Sequence, residues 1–338
     1  MPDWRVAFEE TAAAFIADFV VQSSEYSLDP EPVIQGATNF VTRGHHNGER
    51  VVFKYYSNPE RWRNELFCLQ HFSSTEIVPR VHHSITERLT VMTCVPGYMP
   101  RTDGIDDAVL SDPSRREDLG RQIGRVTGKL VSVPLPTDDD GLFPPPGFEP
   151  LPWFVWSTNL RGALEHYVEL GKRIQREVPE YGAPIFTETL TLLAHQSEGI
   201  EGARKVLYHD DFGNLHISEG NFMGLFDIEN CRLGTEAMQL SSGVGFCLHY
   251  GLGMEPFLEG YEEVTGNRSC GEDHLALLAM TQLQRIIRIT DEGKWTGSEA
   301  AKEDTQRQAE GSLENLREAV LIYREGVDLN RWFPSLAE

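Results

Sequence analysis

The sequence predicts an α+β chain in two lobes: an N-terminal five-stranded antiparallel sheet with a helix, then a larger and mostly helical lobe. Three observations carry this. Between residues 33 and 95, short runs rich in Val, Ile, Phe, Tyr and Thr alternate with Gly, Asn and Pro turn signals, as strands joined by hairpins do. From residue 113 onward, longer stretches repeat apolar residues every three or four positions, the period of a helix. Within the helical part lies one polar knot, His209-Asp210-Asp211-Phe212-Gly213-Asn214-Leu215-His216. The apolar Val206-Leu207-Tyr208 lead into it, and a second apolar run, Phe222 to Phe226, ends on Asp227. The boundary between the lobes is expected near residue 97, giving 1–97 and 98–338.

Taken in order, residues 3–22 place Phe8, Ala12, Phe15 and Phe19 at helical spacing. Ser23 to Pro32 reads as a linker. Val33 to Arg43 reads as strand, turn, strand, with Gly36 letting the backbone turn and approach a ligand closely. His45-His46-Asn47-Gly48 is a second hairpin turn carrying the Asn-Gly signal, with both imidazoles expected in solvent at its tip. The strand Arg50 to Tyr56 sets Lys54 among apolar and aromatic residues, where a lysine seldom lies without a partner. The helix Pro59 to Phe72 offers Glu65. Strands over Ile77–Ile85 and Leu89–Val95 complete the sheet, with His82 and His83 as surface or packing residues.

Tyr98 to Asp112 is rich in Gly, Pro and Asp and reads as a loop. Ser111-Asp112-Pro113 is an N-cap signal for a helix to Val131. Thr137 to Gly147 is a long insertion whose Asp138, Asp139 and Asp140 read as solvated charge, with an amine-bearing ligand as the alternative. Helices are expected over 153–177, 185–199, 235–251, 255–265, 273–290 and 312–326. Apolar stripes such as Ala276, Met280, Leu283 and Ile287 are core packing. Glu262 and Glu263 are expected to border an acceptor pocket.

Composition narrows the function. The net charge of −22 argues against nucleic-acid binding, which needs Lys and Arg to replace counterions. It suits a cationic small ligand, and equally it aids solubility. Cys68, Cys94, Cys231, Cys247 and Cys270 are odd in number and widely spaced, as reduced thiols are. No apolar run reaches the roughly 20 residues that span a bilayer. The expectation is a cytoplasmic protein, monomer or homodimer, with no membrane or nucleic-acid partner. Two short strands joined by a turn are expected to bring Asp211 and Asp227 to the same end of a hairpin. Carboxylates there, with amide or imidazole groups, suit a divalent metal carrying phosphate oxygens.

His209-Asp210-Asp211, and Leu225-Phe226-Asp227-Ile228-Glu229-Asn230 after it, resemble the catalytic and metal-binding loops of the aminoglycoside phosphotransferase and choline kinase family. These are small-molecule kinases with a bilobal protein-kinase-like fold. The resemblance implies a role for each matching residue. Gly36 and Asn39 lie in the turn that covers the nucleotide phosphates. Lys54 holds the α and β phosphates and Glu65 holds Lys54. The stretch around Thr93 and Val95 is where the adenine binds. The family's acidic residue is absent there, so ATP is expected with GTP not excluded. Asp211 orients the acceptor hydroxyl and takes its proton, His209 braces the loop, and Asp227 holds Mg²⁺, with Mn²⁺ as the alternative.

Two departures stand out. Gln239 replaces an aspartate that braces the catalytic loop, so an amide without charge stands there. The family's metal-binding Asn falls on His216 when counted five residues from Asp211 and on Asn214 when counted thirteen back from Asp227. The Gly213-Asn214 pattern favours Asn214, and imidazole is the poorer Mg²⁺ ligand. The implied function is transfer of the γ-phosphoryl group of ATP to a hydroxyl of an aminoglycoside or other antibiotic, an amino alcohol or a sugar, with a cationic acceptor expected. The alternative is a catalytically silent nucleotide-binding relative that acts through partners.

Overall fold

Helix α1 (Trp4–Gln22) opens the computed structural model of the chain, which describes residues 4–30, 39–135, 205–209 and 212–267. Its buried Ala12 and Ile16 pack on one face of a sheet built from β1 (Tyr26–Leu28), β2 (Phe40–His46), β3 (Glu49–Tyr55), β4 (Val81–Ile85) and β5 (Leu89–Thr93). The five strands are antiparallel, in the order β1-β2-β3-β5-β4. Alternate residues of a strand point to opposite faces. Val51, Phe53 and Tyr55 therefore join Leu89 and Val91 under α1, and Lys54 points to the other side.

The predicted five-stranded sheet is present, but its first described strand lies in the stretch read as a linker. Tyr26 pairs with His46, Ser27 with His45 and Leu28 with Gly44. Gly44 permits this close approach, since a Cβ there would sit 1.9 Å from the Ser27 carbonyl oxygen. The strand expected at 33–35 and Gly36 lie outside the described residues. The turn after β2 is tighter than expected. Asn47 (φ 49°) and Gly48 (φ 84°) alone make it, so His46 still pairs with Glu49 and both histidines belong to the strand.

Helix α2 (Pro59–His71) follows, capped by Asn58, whose side chain accepts from the Glu60 N–H. The stretch read as a loop before residue 113 holds two short helices, α3 (Pro100–Asp103) and α4 (Asp107–Leu110). Its Pro and Asp residues act as helix starts: Pro100 stands in the first turn of α3, and Asp106 accepts from the Ala108 N–H at 2.8 Å. Helix α5 (Pro113–Ser132) begins where the cap signal placed it, with Asp112 accepting from Ser114 and Arg115.

The central hairpin turns where the Ser218-Glu219-Gly220-Asn221 stretch suggests and ends on Asp227, but the Val206–Tyr208 lead takes a different partner. β6 (Lys205–Tyr208) pairs with β9 (Arg232–Thr235), and β7 (Leu215–Ser218) pairs with β8 (Asn221–Leu225). The reason is the turn Glu219 (φ 52°)–Gly220 (φ 83°), a two-residue loop that fixes Ser218 opposite Asn221. That register commits Asn221–Leu225 to β7, and β6 takes the next strand along. Helices α6 (Glu236–His249) and α7 (Met254–Thr265) complete the described chain. Gly120 and Gly124 of α5 bring it close to α7: a Cβ on Gly124 would lie 2.0 Å from the Phe257 carbonyl. Glu263 bonds Arg125 at 2.6 Å, a brace across this helix pair.

The chain divides into two compact units. One holds residues 4–30, 39–109, 135 and 212–231; the other holds 110–134, 205–209 and 232–267. The segment 212–231 joins the first unit through the Tyr98–Ile217 bridge and the Leu225 N–H, which donates to the Ile77 carbonyl at 2.7 Å. The insertion at 137–147 and the helices expected over 153–177, 185–199, 273–290 and 312–326 lie outside the described residues. No described helix is long and apolar enough to cross a membrane.

Candidate active site

Lys54 is 6% exposed and stands among three carboxylates. Its Nζ is 2.7 Å from Glu65, 2.5 Å from Asp227 and 3.2 Å from Glu229. Strand β3 aims it away from α1. Helix α2 presents Glu65, which also accepts a 2.6 Å hydrogen bond from the Tyr56 hydroxyl. The Tyr56 ring lies 5.4 Å from Nζ, a further contact to the cation. Burial alone would lower the Lys54 pKa, but Asp227, Glu229 and Glu65 outweigh it and hold the group well above the usual lysine value. Glu65 is pushed up to about 7, by burial first, with Lys54 opposing and the two other carboxylates adding to it.

Asp227 sits at the open end of the β7–β8 hairpin in the left-handed conformation, φ 55° and ψ 43°. Few residues other than Asp and Asn adopt it readily. The hairpin ladder sets Asn214 beside it: the Phe226 N–H donates to the Asn214 carbonyl at 3.0 Å, and the Asn214 amide reaches Asp227 Oδ2 at 3.4 Å. His216 goes elsewhere. Its Nδ1 lies 2.8 Å from the Val95 carbonyl oxygen and its ring packs on Phe226. Burial lowers its pKa, against the pull of the Val95 and Pro96 carbonyls.

Of the other expected residues, Asn39 reaches the cluster indirectly. Its amide donates to Glu229 at 2.6 Å, and its backbone carbonyl accepts from Arg5 at 3.2 Å. Thr93 lies opposite Val51, on the α1 face, with its hydroxyl toward Arg80 and His82. His209 is fully buried, and its backbone N–H donates to the Gln239 amide oxygen at 2.7 Å. Gln239 thus serves the loop through a neutral hydrogen bond. Gly36 and Asp211 lie outside the described residues.

The residues that the sequence reading left without a role are Glu229, Arg61 and Asn64. Glu229 is 1% exposed and accepts from Arg61 and Asn39 while facing Lys54. Asn64 donates to the backbone carbonyls of Glu229 and Cys231, fixing the turn after Asp227 on α2. The available signal was an acidic residue set between Ile228 and Cys231, where a charge needs buried partners. Glu65, Asp227 and Glu229 bring carboxylate oxygens within 4.8 Å of one another. An all-oxygen donor set of this kind suits a hard divalent cation.

A lysine held by a helix glutamate beside an aspartate at a hairpin end, on an antiparallel sheet, defines a protein-kinase-like phosphotransferase. The chain belongs to the phosphotransferase enzyme family, whose sequence profile matches residues 30–272, and it is a small-molecule kinase acting on hydroxyl groups. Its fold is similar to that of a thermostable mutant of the aminoglycoside phosphotransferase APH(4)-Ia in ternary complex with AMP-PNP and hygromycin B. That likeness has a TM-score of 0.60 and 12% identity over 90% of this chain and 97% of the other. It is also similar to the macrolide 2'-phosphotransferase MphH from Brachybacterium faecium, with TM-score 0.58 and 17% identity over 90% and 97% of the two chains. A Plasmodium vivax ethanolamine kinase shares the fold at TM-score 0.53 and 14% identity, over 88% and 85%. No curated protein matches the sequence.

Proposed function

We propose that the chain transfers the γ-phosphoryl group of ATP to a hydroxyl of an amine-bearing small molecule, an aminoglycoside or related antibiotic or an amino alcohol, in preference to a neutral sugar. The observation that carries the transfer chemistry is Lys54, buried and fixed at 2.7 Å from Glu65 and 2.5 Å from Asp227. The motive for a cationic acceptor is the net charge of −22. Phosphoryl transfer needs positioning and charge neutralisation more than covalent help.

Each residue then has one task. The Lys54 ammonium, steadied by Glu65 and Glu229, meets the α and β phosphate oxygens. Asp227 and the Asn214 side-chain oxygen would hold Mg²⁺, which when bound supplies positive charge against the triphosphate. Asp211 orients the acceptor hydroxyl and accepts its proton as the oxygen bonds to phosphorus and ADP leaves. Gln239 keeps the loop that carries Asp211 in place through His209.

The test is labelled ATP offered with a panel of hydroxyl acceptors. Label should pass to an amine-bearing acceptor, with an apparent affinity that weakens as salt is raised. Asp211→Asn should stop transfer while nucleotide still binds. A neutral sugar as best acceptor, with no salt dependence, overturns the acceptor class. ATP binding with no transfer across the panel overturns the activity.

A further inference from the structure

We propose that His46 and His82 form a binding site for a divalent transition-metal ion such as Zn²⁺, at the end of the sheet and on the face opposite Lys54. His46 is the last residue of β2 and pairs with Glu49, which shares the Val51–Phe53–Tyr55 side of β3. His82 reaches that side because β4 carries an irregularity. Val81 pairs with Met92 and His83 with Val91, so one extra residue, His82, is inserted between them. A bulge of this kind re-aims a side chain. The His83 ring packs against Phe19 of α1, tilted by 33°, and His82 meets His46 on the same face.

The two Nδ1 atoms are 3.2 Å apart. Two nitrogens on one tetrahedral zinc, each about 2.0–2.1 Å from it, stand roughly 3.3 Å from each other. The rings are held for such a role. His82 has a side chain only 7% exposed, and Tyr26 stacks on His46 at 4.5 Å with 19° between the planes. The outer nitrogens are anchored too. His46 Nε2 lies 3.5 Å from Glu25 and 3.2 Å from the Asn47 amide. His82 Nε2 lies 3.2 Å from the Thr93 hydroxyl and 3.8 Å from Glu49. Histidines that bind metal through one nitrogen are usually oriented in this way through the other.

Without metal, one proton shared between the Nδ1 atoms holds the pair together. An ion replaces that proton, and the His46 proton relocates to Nε2, where Glu25 accepts it. Arg80, 2.7 Å from Glu49, is the one cation facing the site among the described residues, and its carboxylate partner offsets it. Water fills the remaining coordination positions, with Glu25 and Glu49 at the rim. Imidazole pairs select zinc, copper or nickel, whereas the all-oxygen cluster around Asp227 selects magnesium. The ion would tie the end of β2 to β4, two strands that are not neighbours in the sheet.

The test uses the full chain, stripped with a chelator and kept in excess Mg²⁺ so that the oxygen site is filled. Zn²⁺ should bind with one-to-one stoichiometry and raise the melting temperature. Cu²⁺ in its place should give an electron paramagnetic resonance spectrum with coupling to two imidazole nitrogens. His46→Ala and His82→Ala should each abolish this, and Glu25→Gln should weaken Zn²⁺ by about 10–100-fold. His45→Ala, on the other side of β2, should change nothing. Should the alanine variants fail to fold, nitrogen NMR of the wild type decides: both Nδ1 signals move on adding Zn²⁺, the His82 Nε2 stays protonated and the His46 Nε2 gains its proton. The proposal is overturned by a wild type that takes up no stoichiometric Zn²⁺, by unchanged affinity in the double variant, or by copper bound through oxygen alone.

Discussion

Lys54 Nζ lies 2.5 Å from Asp227 Oδ1, a contact between residues 173 positions apart. The lysine neutralises the carboxylate proposed to hold the metal. Lys54→Met should therefore do more than stop transfer. It leaves three carboxylates without their central cation, and breaking a buried ion pair in this way costs about 3–5 kcal/mol. The loss should be smaller at pH 5.5 than at pH 8, because the bereft carboxylates can be protonated. Urea denaturation at the two pH values checks this. A variant as stable as wild type at pH 8 would contradict the arrangement.

Glu229→Gln keeps the volume and most hydrogen bonds of Glu229 and removes its charge. Arg61 and Asn39 both bond this buried carboxylate, and Lys54 stands 3.2 Å away. The expected result is weaker nucleotide binding together with lower stability, again about 3–5 kcal/mol, because the half-buried Arg61 loses the charge of its buried partner. Glu229→Asp, which restores charge on a shorter arm, should recover part of both. Nucleotide affinity by calorimetry reads the outcome, and an unchanged dissociation constant in Glu229→Gln would remove Glu229 from the lysine's support.

Stability should carry a distinct pH signature from Glu65. Its folded pKa, about 7, lies above the ordinary value of 4.5, chiefly through burial. Between those values the folded chain holds a proton that the unfolded chain releases. The contribution is thus fully present below 4.5 and lost as pH rises through about 7. His71 opposes it: burial lowers its pKa from 6.5 to about 4, so its contribution is present above 6.5 and lost as pH falls through about 4. Glu65→Gln should leave a chain whose stability rises with pH across this window, and His71→Leu one whose stability falls. The reverse slopes in urea titrations would show that both groups are misjudged.

The sequence made some of this arrangement legible and hid the rest for physical reasons. Lys54, Glu65 and Asp227 were readable because the resemblance sets the family's strand lysine, helix glutamate and metal aspartate on them in order; a lone charge in a strand or on a helix does not say as much by itself. The α5 start was readable because Asp112-Pro113 is a local cap. Strand Tyr26–Leu28 was not, since three residues show no alternation and its pairing depends on Gly44, far along the chain. The hairpin before Asp227 was readable from its Glu219-Gly220 turn, whereas the pairing of Val206–Tyr208 with β9 was not, because strand-like runs do not name their partners. The Glu229 network joins residues 168 and 190 positions apart, and no local pattern reports such contacts.

Gln239→Ala should slow transfer without weakening nucleotide binding. The Gln239 amide oxygen accepts the His209 N–H at 2.7 Å, with both residues fully buried. Leaving that N–H without an acceptor costs about 1–3 kcal/mol and loosens the start of the loop that leads to Asp211. Gln239→Glu retains the acceptor and should rescue the rate. A fall in kcat with an unchanged KM for ATP identifies a positioning role, whereas equal losses in both would reduce Gln239 to a packing residue.

The final prediction separates Asn214 from His216. Asn214 lies against Asp227, its amide 3.4 Å from Oδ2, whereas His216 holds the Val95 carbonyl at 2.8 Å. Oxygen is also the better donor to Mg²⁺. Asn214→Ala should therefore raise the Mg²⁺ concentration needed for half-maximal transfer. His216→Ala should leave that concentration unchanged and instead free the chain at Val95, where the resemblance places the base, so the KM for ATP should rise. Magnesium titrations of both variants at saturating ATP decide between them. If His216→Ala destroys Mg²⁺-dependent transfer while Asn214→Ala leaves it intact, the ligand assignment is reversed. A preference for Mn²⁺ over Mg²⁺ that disappears in His216→Asn would point the same way, because imidazole serves Mn²⁺ better than Mg²⁺. If neither variant moves the metal dependence, Asp227 holds the ion without help from either side chain.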